Sequence, residues 1–466
     1  MDPLPRAVLT LARSLGESVV CDDRALCEAA AHDESEAAWV VPAAVVRARH
    51  ADDVAAALRV GHDEGVAVFP RGAGTGRVGG ATVTAPGIVL DTTGLATLDE
   101  LDPHEGLAVV GPGLVTGEFQ RAVEAAGMFY PPDPQSAPWC TLGGNLATNA
   151  GGPRAYKYGV TGDWTLGLEA VLPGGARVSV GRRTRKGVTG YDLTALLVGS
   201  EGTLAVITRA TLRLMALPAA VVGVWARFET VAEAGAAVVA LSLRGLRPRC
   251  VELLDGVCCA VLSEGVAGLG LDGVGALLLM ECDGRALGSV TEEAEAVAEV
   301  CSAAGARSVR LAHDGAEREA LWAARRVMSR ALRTRARSKL SEDVVVPVTA
   351  VPRLLQAVGA ISEAEGLTMP TYGHAGDGNL HVNLLWDDPS EHPRVSRAIA
   401  ALFRATLDLG GTLSGEHGIG VLKAPFLPWE QAPPLVALQR SVKAAFDPRG
   451  ILNPGKVFGA ASHPAC

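Results

Sequence analysis

The sequence predicts an α+β protein. A glycine-rich first domain, residues 1–217, gives way to a second α+β domain, 218–410, and is resumed by a C-terminal segment, 411–466. Three observations carry this reading. Up to about Pro218, short β runs alternate with helical segments between clusters of glycine. Beyond it the clusters vanish, and longer helical patterns separate the strands. Glycine-rich motifs return at Gly373 and Gly410, and residues 446–458 have the texture of the first half again. A chain that leaves one domain, builds a cap and returns would produce this order.

The elements follow in turn. Residues 52–64 (DDVAAALRVGHDE) set apolar side chains at helical spacing until Gly65 stops the run. Residues 66–69 read as a strand closed by Pro70, and 88–90 and 108–110 as two more. A helix over 116–126 closes at Gly127. Residues 168–172 and 177–180 form a hairpin around the Pro-Gly-Gly at 173–175. In the second domain, 230–243, 291–304 and 316–332 read as helices, and 276–281 and 343–346 as strands. No internal repeat is visible.

Composition narrows the function. A chain of 466 residues is too long for one ordinary core. With 48% apolar and 20% charged residues it is globular, and with only 4% aromatics its core rests on small and branched aliphatics. The net charge of −9 and the lack of a basic stripe argue against a nucleic-acid partner. The densest basic run, Arg182, Arg183, Arg185 and Lys186, reads as a solvated loop. The first residues lack the apolar core of a secretory signal, and no stretch approaches the roughly 20 apolar residues of a membrane span. Nine scattered cysteines, without a CxxC and with Cys258 beside Cys259, point to reduced thiols in a cytoplasmic protein.

Three glycine loops carry the first functional signal. Residues 70–81 (PRGAGTGRVGGA) contain Gly74-x-Gly76-x-x-Gly79 directly after a strand. A dinucleotide fingerprint of the Rossmann type must open a helix. Here TVTAPG follows, rich in β-branched residues and broken by Pro86, so that fingerprint fails. The loop can still turn backbone N–H groups onto an anion, with Arg71 adding charge; a plain glycine turn is the even alternative. The second loop, 131–136 (PPDPQS) leading to 141–152 (TLGGNLATNAGG), is nearly all small, amide or hydroxyl residues. The third, 199–208 (GSEGTLAVIT), is a turn feeding a β run. Three such loops on one domain suit a large, extended cofactor better than a single phosphate.

TLGGNLATNAGG, TGYDLTALLVGSEGTLAVIT and the opening PRGAGTG resemble the flavin-binding half of the vanillyl-alcohol-oxidase-like flavoproteins, whose FAD-binding domain is of the p-cresol methylhydroxylase type. That resemblance implies two α/β subdomains holding an extended FAD, beside a cap domain with an antiparallel sheet. It implies FAD contacts from Pro70, Arg71, Gly72, Ala73, Gly74, Thr75 and Gly76, and from Pro134, Thr141, Gly143, Gly144, Asn145, Ala147, Thr148, Gly151 and Gly152. Glu201, Gly202 and Ile207 would lie near the adenosine or the ring. Some relatives attach the flavin covalently through His or Cys. The 71–76 and 141–152 loops have no histidine, so non-covalent FAD is expected, and Cys140 beside the second loop is the residue to check.

The second signal is YGHAGDGNLHVN at 372–383 with SGEHG at 414–418, which hold three of the ten histidines. In a strand over 379–385, Leu380, Val382 and Leu384 face one way and His381 and Asn383 the other. His374 is seven residues before His381, so a straight strand would separate them, and the intervening Gly-x-Asp-Gly must fold back. Glu416 would complete two imidazoles and a carboxylate, a set that suits Zn²⁺ and other first-row divalent ions. A lone buried histidine is usually a core residue; two flanking GDGN, with a Glu-His pair between glycines, are harder to explain as packing.

GHAGDGNLHVN, SGEHGIG and the tail FDPRGILNPGK resemble the C-terminal domain of the FAD-linked D-2-hydroxyacid dehydrogenases, the D-lactate, glycolate and D-2-hydroxyglutarate group. The resemblance covers nearly the whole chain and is weakest at 216–315. It implies His374, His381 and Glu416 as ligands of a divalent metal, Zn²⁺ with Mn²⁺ or Fe²⁺ as alternatives, and His417 as the base. It assigns Asn383 to the substrate, Asn453 to the flavin, Arg325 to the substrate carboxylate and Ser329, one helical turn on, to assist. Lys339 is the nearest counterpart of a lysine that grips a second carboxylate in D-2-hydroxyglutarate-type relatives.

The expected reaction is therefore oxidation of a small D-2-hydroxy acid, D-lactate or glycolate before D-2-hydroxyglutarate. Its electrons pass to a quinone, a cytochrome or an electron-transferring flavoprotein. Peripheral membrane contact and a homodimer stay open. A non-catalytic flavin-binding subunit would have no reason to keep His374, His381, Glu416 and His417 together. A metal hydrolase would leave the 141–152 and 199–208 motifs unexplained.

Overall fold

A computed structural model describes residues 3–184, 186–265, 270–312 and 314–459. Arg185 of the basic run lies outside them. From the same run Arg183 is paired with Glu100, Nη1 to Oε2 at 2.8 Å. No described helix is long and apolar enough to cross a membrane. The chain divides into two units. The first comprises 1–151, 160–217 and 416–466; the second comprises 152–159 and 218–415. The return to the first unit thus begins at Glu416, and an eight-residue excursion to the second interrupts the first half.

The first unit holds two larger sheets. In one, Ala44–Arg47, Gly87–Asp91 and Ala67–Arg71 run parallel, with Val20–Cys21 antiparallel at an edge. Helix Ala51–Glu64 buries Val54, Ala57 and Leu58, and Gly65 ends it with φ 68°. The other sheet is antiparallel, in the order Leu98–Asp102, Leu107–Val110, Val206–Arg213, Thr165–Val171, Arg177–Gly181. The C-terminal tail extends the first sheet. Val68 N–H donates to Ile451 O at 2.8 Å, and Asn453 N–H donates to Val68 O at 2.8 Å. Ile451 and Leu452 thereby enter the core with Leu58, Val68 and Leu90. Burying each such side chain is worth about 1.5–3 kcal/mol.

The second unit is built on a seven-stranded antiparallel sheet. Its order is Ser308–Ala312, Ala220–Phe228, Ala276–Gly284, Cys250–Asp255, Thr371–His374, Asn379–Trp386, Ser338–Val345. Thr371–His374 and Asn379–Trp386 form a hairpin with Tyr372 opposite His381 and His374 opposite Asn379. Period-two alternation then sorts the side chains. Leu253, Leu380, Val382, Leu384 and Val344 are buried on one face. Glu252, His374, His381, Asn383, Ser341 and Asp343 share the other, as the registers Glu252↔His374, Asp343↔His381 and Ser341↔Asn383 require. Helix Gly315–Arg333 covers part of that polar face, with Met328 and Leu332 against Leu254 and Tyr372. Ser338–Val345 starts well before the strand read at 343–346, because Lys339, Ser341 and Asp343 make its polar face look like a loop.

The fold-back between the two histidines depends on Gly378. Its φ is +83°, and a Cβ there would stand 1.9 Å from Val346 O. Gly378→Ala should destabilise the protein by about 2 kcal/mol or more in denaturant unfolding, from backbone strain and the clash together. An unchanged midpoint would show that the turn does not need glycine.

Candidate functional site

In the first unit two loops are held by close approaches. A Cβ on Gly72 would lie 2.4 Å from Thr141 Oγ1, and one on Gly143 would lie 2.6 Å from Pro112 Cβ. Both positions need glycine for the strands of backbone to meet. Gly74, at φ +72°, sits over the Arg71 guanidinium, whose Nη1 donates to His32 O at 2.7 Å. Burial lowers the pKa of Arg71, with Asp91 and Asp33 opposing. Among the described residues, no backbone N–H from Gly72, Ala73, Gly74, Thr75 or Gly76 donates to a protein acceptor. A run of available donors on a loop without obstructing side chains fits a pyrophosphate. Pro70 precedes it at the end of a strand, and its ring lies beside Gly202.

Thr141 caps helix Leu142–Thr148 by accepting from Gly144 N–H at 3.3 Å. Asn145 is buried and donates Nδ2–H to Thr116 Oγ1 at 2.7 Å, and Thr148 donates to Gly144 O at 3.1 Å. Ala147 O accepts from Glu201 N–H at 2.7 Å, and Pro134 O from Ala137 N–H at 2.8 Å. Gly151 ends the first unit's opening segment, and Gly152 starts the excursion. Gly202 has φ +66°, and Ile207 is buried in Val206–Arg213. The 141–152 run was legible as a backbone-rich surface, not as a short capped helix.

Glu201 and Asn453 act as fasteners. The buried Glu201 carboxylate accepts from Ile419 N–H at 2.8 Å and Gly420 N–H at 2.7 Å. A Cβ on Gly418 would sit 2.9 Å from that carboxyl, so Glu201 locks the turn that follows His417. Asn453 donates Nδ2–H to Gly80 O at 3.0 Å and Glu201 O at 2.8 Å. Its buried Oδ1 has no partner among the described residues, an acceptor that a flavin N–H or ribose hydroxyl suits. Two further charges lie beneath the glycine loop. Asp33 accepts from Ala81 N–H at 3.3 Å and from Thr82 Oγ1 at 3.1 Å. Lys456 donates to Thr82 O, and burial pulls its pKa down to about 8 against Asp33 and Glu201. Lys456 was visible in the tail motif; Asp33 had no motif around it. Cys140 is buried, its Sγ 3.5 Å from Thr116 Oγ1, and burial raises its pKa, so it is a thiol.

In the second unit His374 and His381 are buried with ring centroids 5.3 Å apart. Glu416 follows Gly415, whose N–H donates to the buried Asp343 at 2.9 Å; Ser414 Oγ donates to the same carboxylate at 3.0 Å. His374, His381 and Glu416 each offer a ligand atom, all within 4.8 Å of one another. Two imidazoles and one carboxylate match the donor set of a first-row divalent ion with positions left open. His417, the next residue, is half-buried.

Glu252 in this unit was likewise announced by no motif. It is fully buried, and its Oε1 is hydrogen-bonded to His374 Nδ1. Its Oε2 accepts from Arg325 Nε at 2.7 Å and Nη2 at 2.6 Å. Burial alone would raise this carboxyl; the neighbouring His374 and Arg325 more than offset that and lower it. Arg325 also lies over the Tyr372 ring at 4.6 Å. The signal was an acid set between apolar neighbours in the run CVELLD. Asn383 is buried, with Nδ2–H donated to Pro370 O and His381 O, both at 3.1 Å, while its Oδ1 has no partner among the described residues. Lys339 is buried and donates to Ser329 Oγ at 2.7 Å and Ser329 O at 3.1 Å.

Known proteins share the family and the fold of this chain. The family described as FAD linked oxidases, C-terminal domain, matches residues 217–457, and an FAD binding domain matches 42–181. The chain is 38% identical over 421 residues to the glycolate oxidase subunit GlcD of Bacillus subtilis (strain 168), covering 90% of this chain and 89% of that protein. It is 36% identical over 420 residues to a D-lactate dehydrogenase of Archaeoglobus fulgidus, covering 89% and 90%. Its fold matches p-cresol methylhydroxylase with substrate bound at a TM-score of 0.82 and 16% identity, over 98% of this chain and 97% of the other.

The Glu201 contacts yield a test. Glu201→Gln should turn an amide N–H₂ toward one of the two backbone donors and cost about 1–3 kcal/mol. Equilibrium unfolding of the flavin-loaded protein measures it; a loss below 0.5 kcal/mol, on the order of a surface change, would deny Glu201 the fastening role.

Proposed function

We propose, from the premise that this chain belongs to the FAD-linked oxidases, that it oxidises a small D-2-hydroxy acid to the 2-oxo acid, with D-lactate or glycolate favoured. The observation that carries the reading is the convergence of His374, His381 and Glu416 within 4.8 Å in a chain that also has an FAD-binding domain. The names of the glycolate oxidase subunit and D-lactate dehydrogenase relatives supply the substrate class.

His374, His381 and Glu416 would hold a divalent ion, Zn²⁺ or alternatively Mn²⁺ or Fe²⁺. FAD supplies the two-electron oxidant and the ion supplies Lewis acidity. His417 takes the proton from the substrate hydroxyl oxygen; imidazoles suit this because they titrate near neutral pH. Arg325 gives Nε and Nη2 to Glu252, so the substrate carboxylate falls to Nη1. Asn383 contributes Oδ1, the atom its other hydrogen bonds leave over. The FAD is held without a covalent bond, because Cys140 is buried against Thr116 and the loops lack histidine. The electron acceptor is a quinone, a cytochrome or an electron-transferring flavoprotein.

One observation favours a second substrate. Lys339 brings a buried ammonium to Ser329, on the helix that carries Arg325. A cation there suits a second carboxylate, as in D-2-hydroxyglutarate.

His417→Ala should keep its full flavin absorbance and lose turnover by about 10²–10⁴-fold. Turnover is read with D- and L-lactate, glycolate and D-2-hydroxyglutarate and an artificial acceptor. A variant as active as wild type sinks the base assignment; oxidation of none of the acids by the loaded wild type sinks the substrate class. Chelation, and separately Glu416→Ala, should abolish activity with flavin retained. Full activity after the metal is stripped would remove the ion from the reaction.

A further inference from the structure

An imidazole has two nitrogens, and the partner of one decides what the other can do. For His374 that partner is Glu252. An ionised carboxylate only accepts hydrogen bonds, so Nδ1 must carry the ring proton and Nε2 must present its lone pair. Glu252 is itself clamped. It reaches His374 through Oε1, and Arg325 Nε and Nη2 hold Oε2 at 2.7 and 2.6 Å. Arg325 is in turn fixed over Tyr372, a neighbour of His374 on the same face of the sheet. Glu252 and Arg325 are both buried, so each needs the other's charge.

We propose that Arg325, Glu252 and His374 form a positioning relay that fixes His374 to bind a divalent cation through Nε2. Arg325 holds Oε2 of Glu252 and so leaves Oε1 for His374 Nδ1; Glu252 sets the tautomer and the ring plane. Neither is a ligand, and Glu252 touches no reacting atom. The inference rests on the metal reading above and deepens it. It also gives Arg325 a duty separate from the substrate carboxylate.

The test measures metal affinity, not turnover. Zn²⁺ dissociation constants are obtained by chelator competition on the flavin-loaded protein, with metal content by elemental analysis and flavin absorbance as the folding control. Glu252→Gln retains an acceptor for Nδ1 but loses the charge, and should bind about tenfold more weakly. The double variant Glu252→Leu, Arg325→Met removes the acceptor without leaving a buried orphan charge, and should bind about a hundredfold more weakly. A double variant as tight as wild type overturns the relay while leaving the metal site intact. A wild type that binds no Zn²⁺ overturns the metal reading itself. If either variant loses its flavin, ¹⁵N-histidine NMR of metal-free wild type decides the matter. A proton on His374 Nδ1 is expected, and a proton on Nε2 refutes the relay.

Discussion

A carboxylate sealed in the middle of a β-sheet is tolerable only if its surroundings answer its charge, and Glu252 is such a group. The answer comes from two directions: a guanidinium on the overlying helix and an imidazole on the neighbouring strand. Desolvating these groups costs several kcal/mol each, recovered only when geometry is close and all partners are present. The need for that geometry reaches outward. It fixes the register of Cys250–Asp255 against Thr371–His374 and the rotation of helix Gly315–Arg333. A second buried acid, Asp343, does the corresponding work at the other edge of the hairpin, binding Asn379 and the turn before Glu416.

The first unit is governed by the opposite constraint, absence of bulk. Its loops meet where glycine leaves room, and the backbone donors of 72–76 have no protein acceptor among the described residues. Charge there is used at one remove. Arg71, Asp33 and Lys456 sit beneath the loop, while Glu201 fastens the segment after His417 to the helix that follows Thr141. The surface these loops offer is thus mostly main chain, and the side chains below set its shape.

Local periodicity made much of this legible. The His374 to Asn383 hairpin could be derived because a strand alternates and glycine permits reversal. The fingerprint at 74–79 is no Rossmann loop, since strand Gly87–Asp91 and not a helix follows it. What stayed hidden was long-range. Glu252 lies 122 residues before its histidine, and nothing nearby in the chain marks it. Arg325 was singled out for a substrate carboxylate, and nothing in its segment marked the buried pairing with Glu252. Lys339 lies in a strand that begins at Ser338, ahead of the apolar residues that marked it in the sequence. Helix Leu142–Thr148 was missed because glycine and asparagine are poor helix formers; the Thr141 cap and the burial of Leu142 and Leu146 override them.

The short excursion of residues 152–159 has a consequence for how such a protein could be recombined. Lys157 and Tyr158 both bind the buried Asp283, with Lys157 Nζ donating to Oδ1 at 2.6 Å and Tyr158 Oη to Oδ2 at 2.8 Å. Tyr156 Oη donates to Leu246 O at 3.1 Å. Eight residues encoded within the first half therefore complete the second unit. A chimera that exchanged the second unit between relatives by swapping residues 218–415 alone would leave Asp283 facing a foreign segment. The heritable module is discontinuous, and a faithful graft must carry 152–159 with it.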